Sequence, residues 1–120
     1  NIPIVDIRRS VEWEQTGVVP KSILLTFFDK KGNYNFDKWY ENLRLKINDG
    51  KPIILICRSG RRTRIIAEMM DKKFDNVIYN AKYGINSWID EKLITVKPYY
   101  CSNNYLIKFM IFMINLLILL

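Results

Sequence analysis

Short apolar runs alternate with longer amphipathic stretches along the chain, and that alternation predicts an α/β domain with a mainly parallel sheet. Ile2 to Ile7 is apolar and β-branched, reading as a buried strand that ends in the charged Asp6, Arg8 and Arg9. Ser10 is placed to cap a short helix over Val11 to Gln15, closed by Gly17. After Pro20 and Lys21, Ile23 to Thr26 reads as a second strand, and Lys30 to Asn33 as a loop. Phe36, Trp39, Tyr40, Leu43 and Ile47 then fall on one helix face, with Asn48, Asp49 and Gly50 as the stop. Ile53 to Ile56 is continuously apolar and too short for a helix, the pattern of a central parallel strand covered on both faces. A helix from Arg61 or Arg62 onward sets Ile65, Ile66, Met69 and Met70 on one face. Val77 to Tyr79 is a further strand, Gly84 to Ile89 begins a last helix, and Val96 to Pro98 closes the globular part.

The run from Tyr105 to Leu120 has Lys108 and Asn115 as its strongly polar residues. A spanning helix needs ~20 apolar residues. This run is shorter and carries a lysine, so a tail helix packed on the domain is expected, with membrane contact through residues 105–120 as its alternative use. The expected organisation is a domain over 1–98, a linker over 99–104 and a hydrophobic tail over 105–120.

Composition narrows the chemistry. With 120 residues, 49% hydrophobic and 26% charged, the chain is not intrinsically disordered and has room for one core. Lys and Arg number 19 against 12 Asp and Glu, a formal charge of +7, so an anionic substrate or partner is favoured. Histidine is absent, which removes the Ser-His-Asp triad, the Cys-His dyad and the histidine-based zinc hydrolases. The two cysteines, Cys57 and Cys101, are too few for a disulfide scaffold or a zinc site, so no metal is expected. Cys101 reads as an incidental thiol. Nucleotide-binding glycine motifs are lacking and no nucleic-acid motif accompanies the positive charge, so neither ligand is expected.

The informative stretch is Ile53 to Arg64: an apolar strand, Cys57, a turn containing Gly60 and dense in arginine, then a helix. Ligands of open α/β sheets bind at the carboxyl ends of strands, and a tight turn into a helix aims several N–H groups at one point. A cysteine there has its thiolate stabilised by those donors, the helix dipole and nearby guanidinium charge. Cys57 is thus expected to be an ionised nucleophile without help from imidazole. A core cysteine would have no use for four arginines within the next seven residues, Arg58, Arg61, Arg62 and Arg64.

The loop Cys57-Arg58-Ser59-Gly60-Arg61-Arg62-Thr63 resembles the active-site loop of the rhodanese family of sulfurtransferases. Ile4-Val5-Asp6-Ile7-Arg8 upstream, and Asn76 to Tyr79 with Tyr83 to Trp88 downstream, extend the resemblance over about residues 2–98. It implies a three-layer rhodanese-like α/β domain. It also implies that Cys57 takes a sulfane sulfur from thiosulfate or a similar small anionic donor, becomes a persulfide, and passes the sulfur to cyanide or a thiol, with no cofactor. Arg58, Ser59, Gly60, Arg61, Arg62 and Thr63 would ring the sulfur with backbone N–H groups, Arg61 and Arg62 would hold the donor's anionic end, and Thr63 would give a hydroxyl bond to sulfur or cap the helix. Asp6 and Arg8 match the family's Asp-x-Arg and are expected to support the loop as an ion pair, while Trp13 and Trp88 are expected in the core.

The chain also departs from the family. Gly17-Val18-Val19-Pro20-Lys21-Ser22 stands where Gly-His-Ile-Pro-Gly-Ala is usual, and Tyr83-Gly84 where two glycines are usual. Related domains begin with an additional strand and helix before Ile4, so the sheet is expected to be N-terminally short, and residues 105–120 would cover the surface left apolar. Cysteine phosphatases are the nearest rival, but a Cys-x5-Arg loop needs arginine at 63, where this chain has Thr63. The rival from another class is a non-catalytic or persulfide-relay module that binds a partner protein. A cytoplasmic location is favoured over a periplasmic or membrane-associated one.

Overall fold

A computed structural model describes residues 1–47, 50–73, 75–99 and 112–118. Four short strands, β1 (Ile4–Asp6), β2 (Ile23–Leu24), β3 (Ile53–Ile56) and β4 (Ile78–Asn80), form one sheet in the order β2-β1-β3-β4. All three pairings are parallel, with Val5 opposite both Ile23 and Leu55, and Ile54 opposite Tyr79. The helices are α1 (Ser10–Thr16), α2 (Phe36–Arg44), α3 (Arg61–Lys73) and α4 (Gly84–Asp90).

Alternate strand residues point to opposite faces, and the core divides accordingly. Val5, Ile7, Ile53 and Leu55 meet Trp39 and Leu43 of α2 and Ile66 and Met70 of α3. On the other face Ile4 and Ile56 pack with Val19, Ile85 and Trp88. The result is the three-layer α/β arrangement expected from the alternation of elements. Trp13 is also buried, as expected.

The chain leaves β1 towards β2 on one side and resumes at β3 on the other, so the sheet has its topological switch point between β1 and β3. Ligand sites of open α/β sheets form beyond the strand ends at such a point. Asp6 closes β1 there, and Cys57 follows β3 there.

Several boundaries differ from expectation. Arg9, not Ser10, occupies the N-cap of α1, because the Glu12 carboxylate reaches back to accept the Arg9 N–H at 3.0 Å and Ser10 is already helical. β2 is limited to Ile23–Leu24, although Leu25 and Phe27 still donate backbone bonds to Asp6 and Ile7. β4 lies one residue later than expected, which brings Asn80 to its end. On α3 the buried stripe is Thr63, Ile66 and Met70, spaced three and four apart, and Ile65 is exposed. Tyr99 donates its hydroxyl to the Ser22 carbonyl at 2.7 Å, so contact with the domain continues past residue 98.

Residues 112–118 are helical, but every one of their side chains is exposed. Over these residues the side chains are not packed as the expected tail helix would have them: apolar residues go round the segment without forming a single stripe to bury. Among the described residues no helix is long and apolar enough to cross a membrane. Asn48, Asp49, Cys101 and the rest of the linker and tail lie outside the described residues.

Candidate active site

β3 delivers Cys57 to the centre of a turn formed by residues 57–60, and α3 begins at Arg61. The side chain is buried, 1% exposed. Gly60 donates its N–H to Cys57 Sγ at 3.1 Å, and Thr63 Oγ1 lies 3.4 Å from the same sulfur. Burial pushes the thiol up, but the hydrogen bonds open to the thiolate, from the Thr63 hydroxyl when it turns to the sulfur and from the N–H groups of Thr63, Gly60 and Ser59, outweigh it. The net effect holds Cys57 below the ordinary thiol range.

Two glycines make this turn possible. Gly60 has φ +91°, and a Cβ on it would sit 3.1 Å from the Tyr83 nitrogen. Gly84, at φ +57°, opens α4 directly against the loop backbone, where a Cβ would overlap the Cys57 carbonyl oxygen and lie 2.7 Å from the Arg58 carbonyl carbon. That closeness lets the Ile85 N–H donate to the Cys57 carbonyl at 2.8 Å and the Asn86 N–H to the Arg58 carbonyl at 3.1 Å. The start of α4 therefore clamps the outside of the loop while the loop's own N–H groups face the sulfur. Gly84→Ala is expected to cost about 2 kcal/mol or more through left-handed strain and displaced backbone. Chemical denaturation measures the loss, and thiol alkylation rates should change with it as the loop moves.

Asp6 and Arg8 form a fully buried pair, with Arg8 Nη2 2.8 Å from Asp6 Oδ2. Arg8 also donates to Thr16 Oγ1 at 2.8 Å and to the Gly17 carbonyl at 3.1 Å, tying the end of β1 to the end of α1. This is the supporting ion pair expected from Asp-x-Arg.

α1, so held, presents Glu12 to the start of α3. Arg62 Nη1 and Nη2 bond Glu12 Oε2 and Oε1 at 2.9 and 2.7 Å, a two-pronged pair. The expectation that Arg62 extends towards a donor is therefore revised: its guanidinium is turned to Glu12, and its charge reaches Cys57 as a field partly offset by that carboxylate. Arg62 and the Arg9 N–H hold the Glu12 carboxyl down to about 2. A carboxylate depressed on folding contributes stability above its unfolded value of 4.5 and loses it as pH falls towards about 2. Glu12→Gln should remove that part of the acid-unfolding limb while leaving the slope above pH 4.5 unchanged, as read from denaturation midpoints against pH.

Arg58 and Arg61 are exposed. Arg61 borders a depression of about 400 Å³ together with Arg64 and Lys82, with Ser59, Gly60, Asn80 and Tyr83 completing its wall. Among the described residues the exposed cationic side chains bordering this depression are Arg61, Arg64 and Lys82, with Lys82 Nζ 5.3 Å from the Tyr83 ring centre. A larger apolar cavity of about 690 Å³ along β2 shares no lining residue with the loop. Groups of acidic, cysteine or histidine side chains fit to hold a metal are absent among the described residues.

Sequence reasoning missed Glu12 and Asn80. Asn80 Oδ1 accepts from Thr63 Oγ1 at 2.5 Å and Nδ2 donates to the Gly60 carbonyl at 3.1 Å, so the end of β4 grips the loop from a third side. The position of Glu12 as the third residue of a short helix was a local signal, but its pairing spans 50 residues.

Comparisons agree with this architecture. A solved structure from M. tuberculosis, of Rv0390, superposes with a TM-score of 0.57 at 28% identity, covering 69% of this chain and 65% of that one. A second, from Rhodopseudomonas palustris CGA009, is titled a protein of unknown function, RPA3614, and possible tyrosine phosphatase. It matches in fold at a TM-score of 0.54 and 24% identity, covering 79% of this chain and 70% of its own. A Drosophila melanogaster protein, rhodanese domain-containing protein CG4456, is 33% identical over 98 residues, 77% of this chain and 86% of that one. Residues 1–91, which carry all four strands, the cysteine loop and its clamps, match the family described as Rhodanese-like domain, and the chain belongs to that family.

Proposed function

We propose that the protein is a sulfurtransferase that moves a sulfane sulfur from thiosulfate or a similar anionic donor to a thiophilic acceptor through a persulfide on Cys57. The observation that carries this reading is the Cys57 sulfur set at the centre of the turn, bonded by the Gly60 N–H at 3.1 Å and held below the ordinary thiol range. A thiolate so placed attacks the outer sulfur of thiosulfate. The bond between the two donor sulfurs breaks, and sulfite leaves with its electron pair. The outer sulfur remains on Cys57 as a persulfide anion, stabilised by the same N–H groups. Cyanide or a thiolate then attacks that sulfur and returns the Cys57 thiolate, with no external redox partner. Arg61, Arg64 and Lys82 beside the turn attract the anionic donor and the departing sulfite.

The test is steady-state transfer from thiosulfate to cyanide and, separately, to small thiols. Double-displacement kinetics with thiocyanate or the thiol persulfide as product is expected. No product with either acceptor, from a folded chain, would overturn the reading. Persulfide discharge only by a protein acceptor would shift it to a relay.

A further inference from the structure

Thr63 lies between two acceptors and has one hydroxyl proton to give. Its Oγ1 is 2.5 Å from Asn80 Oδ1 and 3.4 Å from Cys57 Sγ. The Asn80 amide is held in orientation, because its Nδ2 donates to the Gly60 carbonyl at 3.1 Å and a flipped amide would set Oδ1 against that carbonyl, acceptor to acceptor. Oδ1 is thus the atom that Thr63 meets, and Oδ1 only accepts. The bond between them requires the Thr63 proton. While it stands, Thr63 turns a lone pair towards the sulfur, which suits an S–H group and opposes a thiolate.

We propose that Asn80 competes with the Cys57 sulfur for the Thr63 hydroxyl proton and so restrains ionisation of the nucleophile. In the thiol state Cys57 S–H donates to Thr63 Oγ1 and Thr63 O–H donates to Asn80 Oδ1. On ionisation the thiol proton leaves to water, the Thr63 hydroxyl rotates to donate to the thiolate, and half-buried Asn80 takes water in its place. The S–H bond is the one covalent bond broken, and the charge left on sulfur gains a charge-assisted hydrogen bond. Asn80 is a positioning residue: it acts through Thr63 and touches neither donor nor acceptor. The ionisable groups on the elements around the sulfur are Arg62 on α3 with Glu12 on α1, Asp6 and Arg8 at the end of β1, Arg61, Arg64 and Lys82 on the neighbouring depression, and exposed Arg58 next to Cys57 in the chain. Replacing Asn80 removes none of these side chains, so a shift caused by that replacement has its origin in the hydrogen bonds.

The consequence for turnover rests on Cys57 being the reacting group, as proposed above, but the thiol can be titrated whether or not sulfur is transferred. Thiolate absorbance and alkylation rate are measured against pH in the full chain carrying Cys101→Ser, which leaves one thiol. Asn80→Leu should lower the Cys57 midpoint by about one pH unit, giving about tenfold more thiolate at pH values below it. Thr63→Val should raise the midpoint, and adding Asn80→Leu to Thr63→Val should change nothing further, whereas Thr63→Ser should restore the dependence on Asn80. Asn80→Ala makes the same comparison if the leucine variant does not fold. An unchanged or raised midpoint in the Asn80 variant would overturn the proposal. So would an equal shift in the Thr63→Val background, since that would mark loop displacement. A thiol that titrates as described in a protein that never takes up sulfur would sink the sulfurtransferase reading and leave this one standing.

Discussion

Cys57→Ser is expected to reduce sulfur transfer by about a thousandfold or more, to the background of the assay. A serine oxygen in the same position has the same donors around it, yet it is not ionised near neutral pH and forms no persulfide. The fold should survive. Cys57 is 1% exposed and its sulfur already sits among polar partners, the Gly60 N–H and the Thr63 hydroxyl, which a serine hydroxyl can meet. The melting temperature should stay close to that of the parent chain. Thiocyanate production at a rate near the parent's would refute a covalent role for Cys57.

The second large effect is on stability. Asp6→Ala removes the carboxylate that accepts from Arg8 N, Nε and Nη2 at 3.1, 3.0 and 2.8 Å, leaving a guanidinium buried at 0% exposure without its counter-charge. Breaking a buried pair in this way costs about 3–5 kcal/mol, against a total of about 5–15 kcal/mol for a domain. A fall of roughly 10–20 °C in melting temperature is expected. The damage should also reach the site, because Arg8 secures Thr16 and Gly17 at the end of α1, and α1 carries Glu12 to Arg62. Replacing both partners with apolar residues, Asp6→Leu with Arg8→Met, should recover much of the loss, since no uncompensated charge remains. A melting temperature within about 2 °C of the parent after Asp6→Ala would show that the pair does not hold β1 to α1.

What was legible in the chain follows from how local each signal is. The run Ile53 to Ile56, the glycine turn and the three-to-four spacing of α3 are all contained in one stretch, so the strand, the cysteine and the helix behind it were readable together. The sheet's parallel character followed from the alternation of elements. The pairing of Glu12 with Arg62 bridges 50 residues, and that of Thr63 with Asn80 bridges 17. Such contacts are set by how α1 and β4 dock against the loop, and a polar residue on a short helix or at a strand end does not announce its partner. Arg62 illustrates the consequence: its place in an arginine-rich loop pointed to substrate, whereas the folded chain turns it to a carboxylate from another element. Ile65 misled for the opposite reason. An apolar residue beside the buried stripe of a helix reads like part of it, yet it is 45% exposed. Residues 112–118 make the same point, because hydrophobicity alone gives no docking face and all their side chains are exposed.

Intact-mass measurement after brief exposure of the folded chain to thiosulfate, followed by peptide mapping, tests the persulfide most directly. A gain of one sulfur, ~32 Da, located on Cys57 and removed by cyanide, is expected, as a covalent intermediate requires. A folded chain that gains no mass, or gains it on Cys101 and not on Cys57, would contradict it.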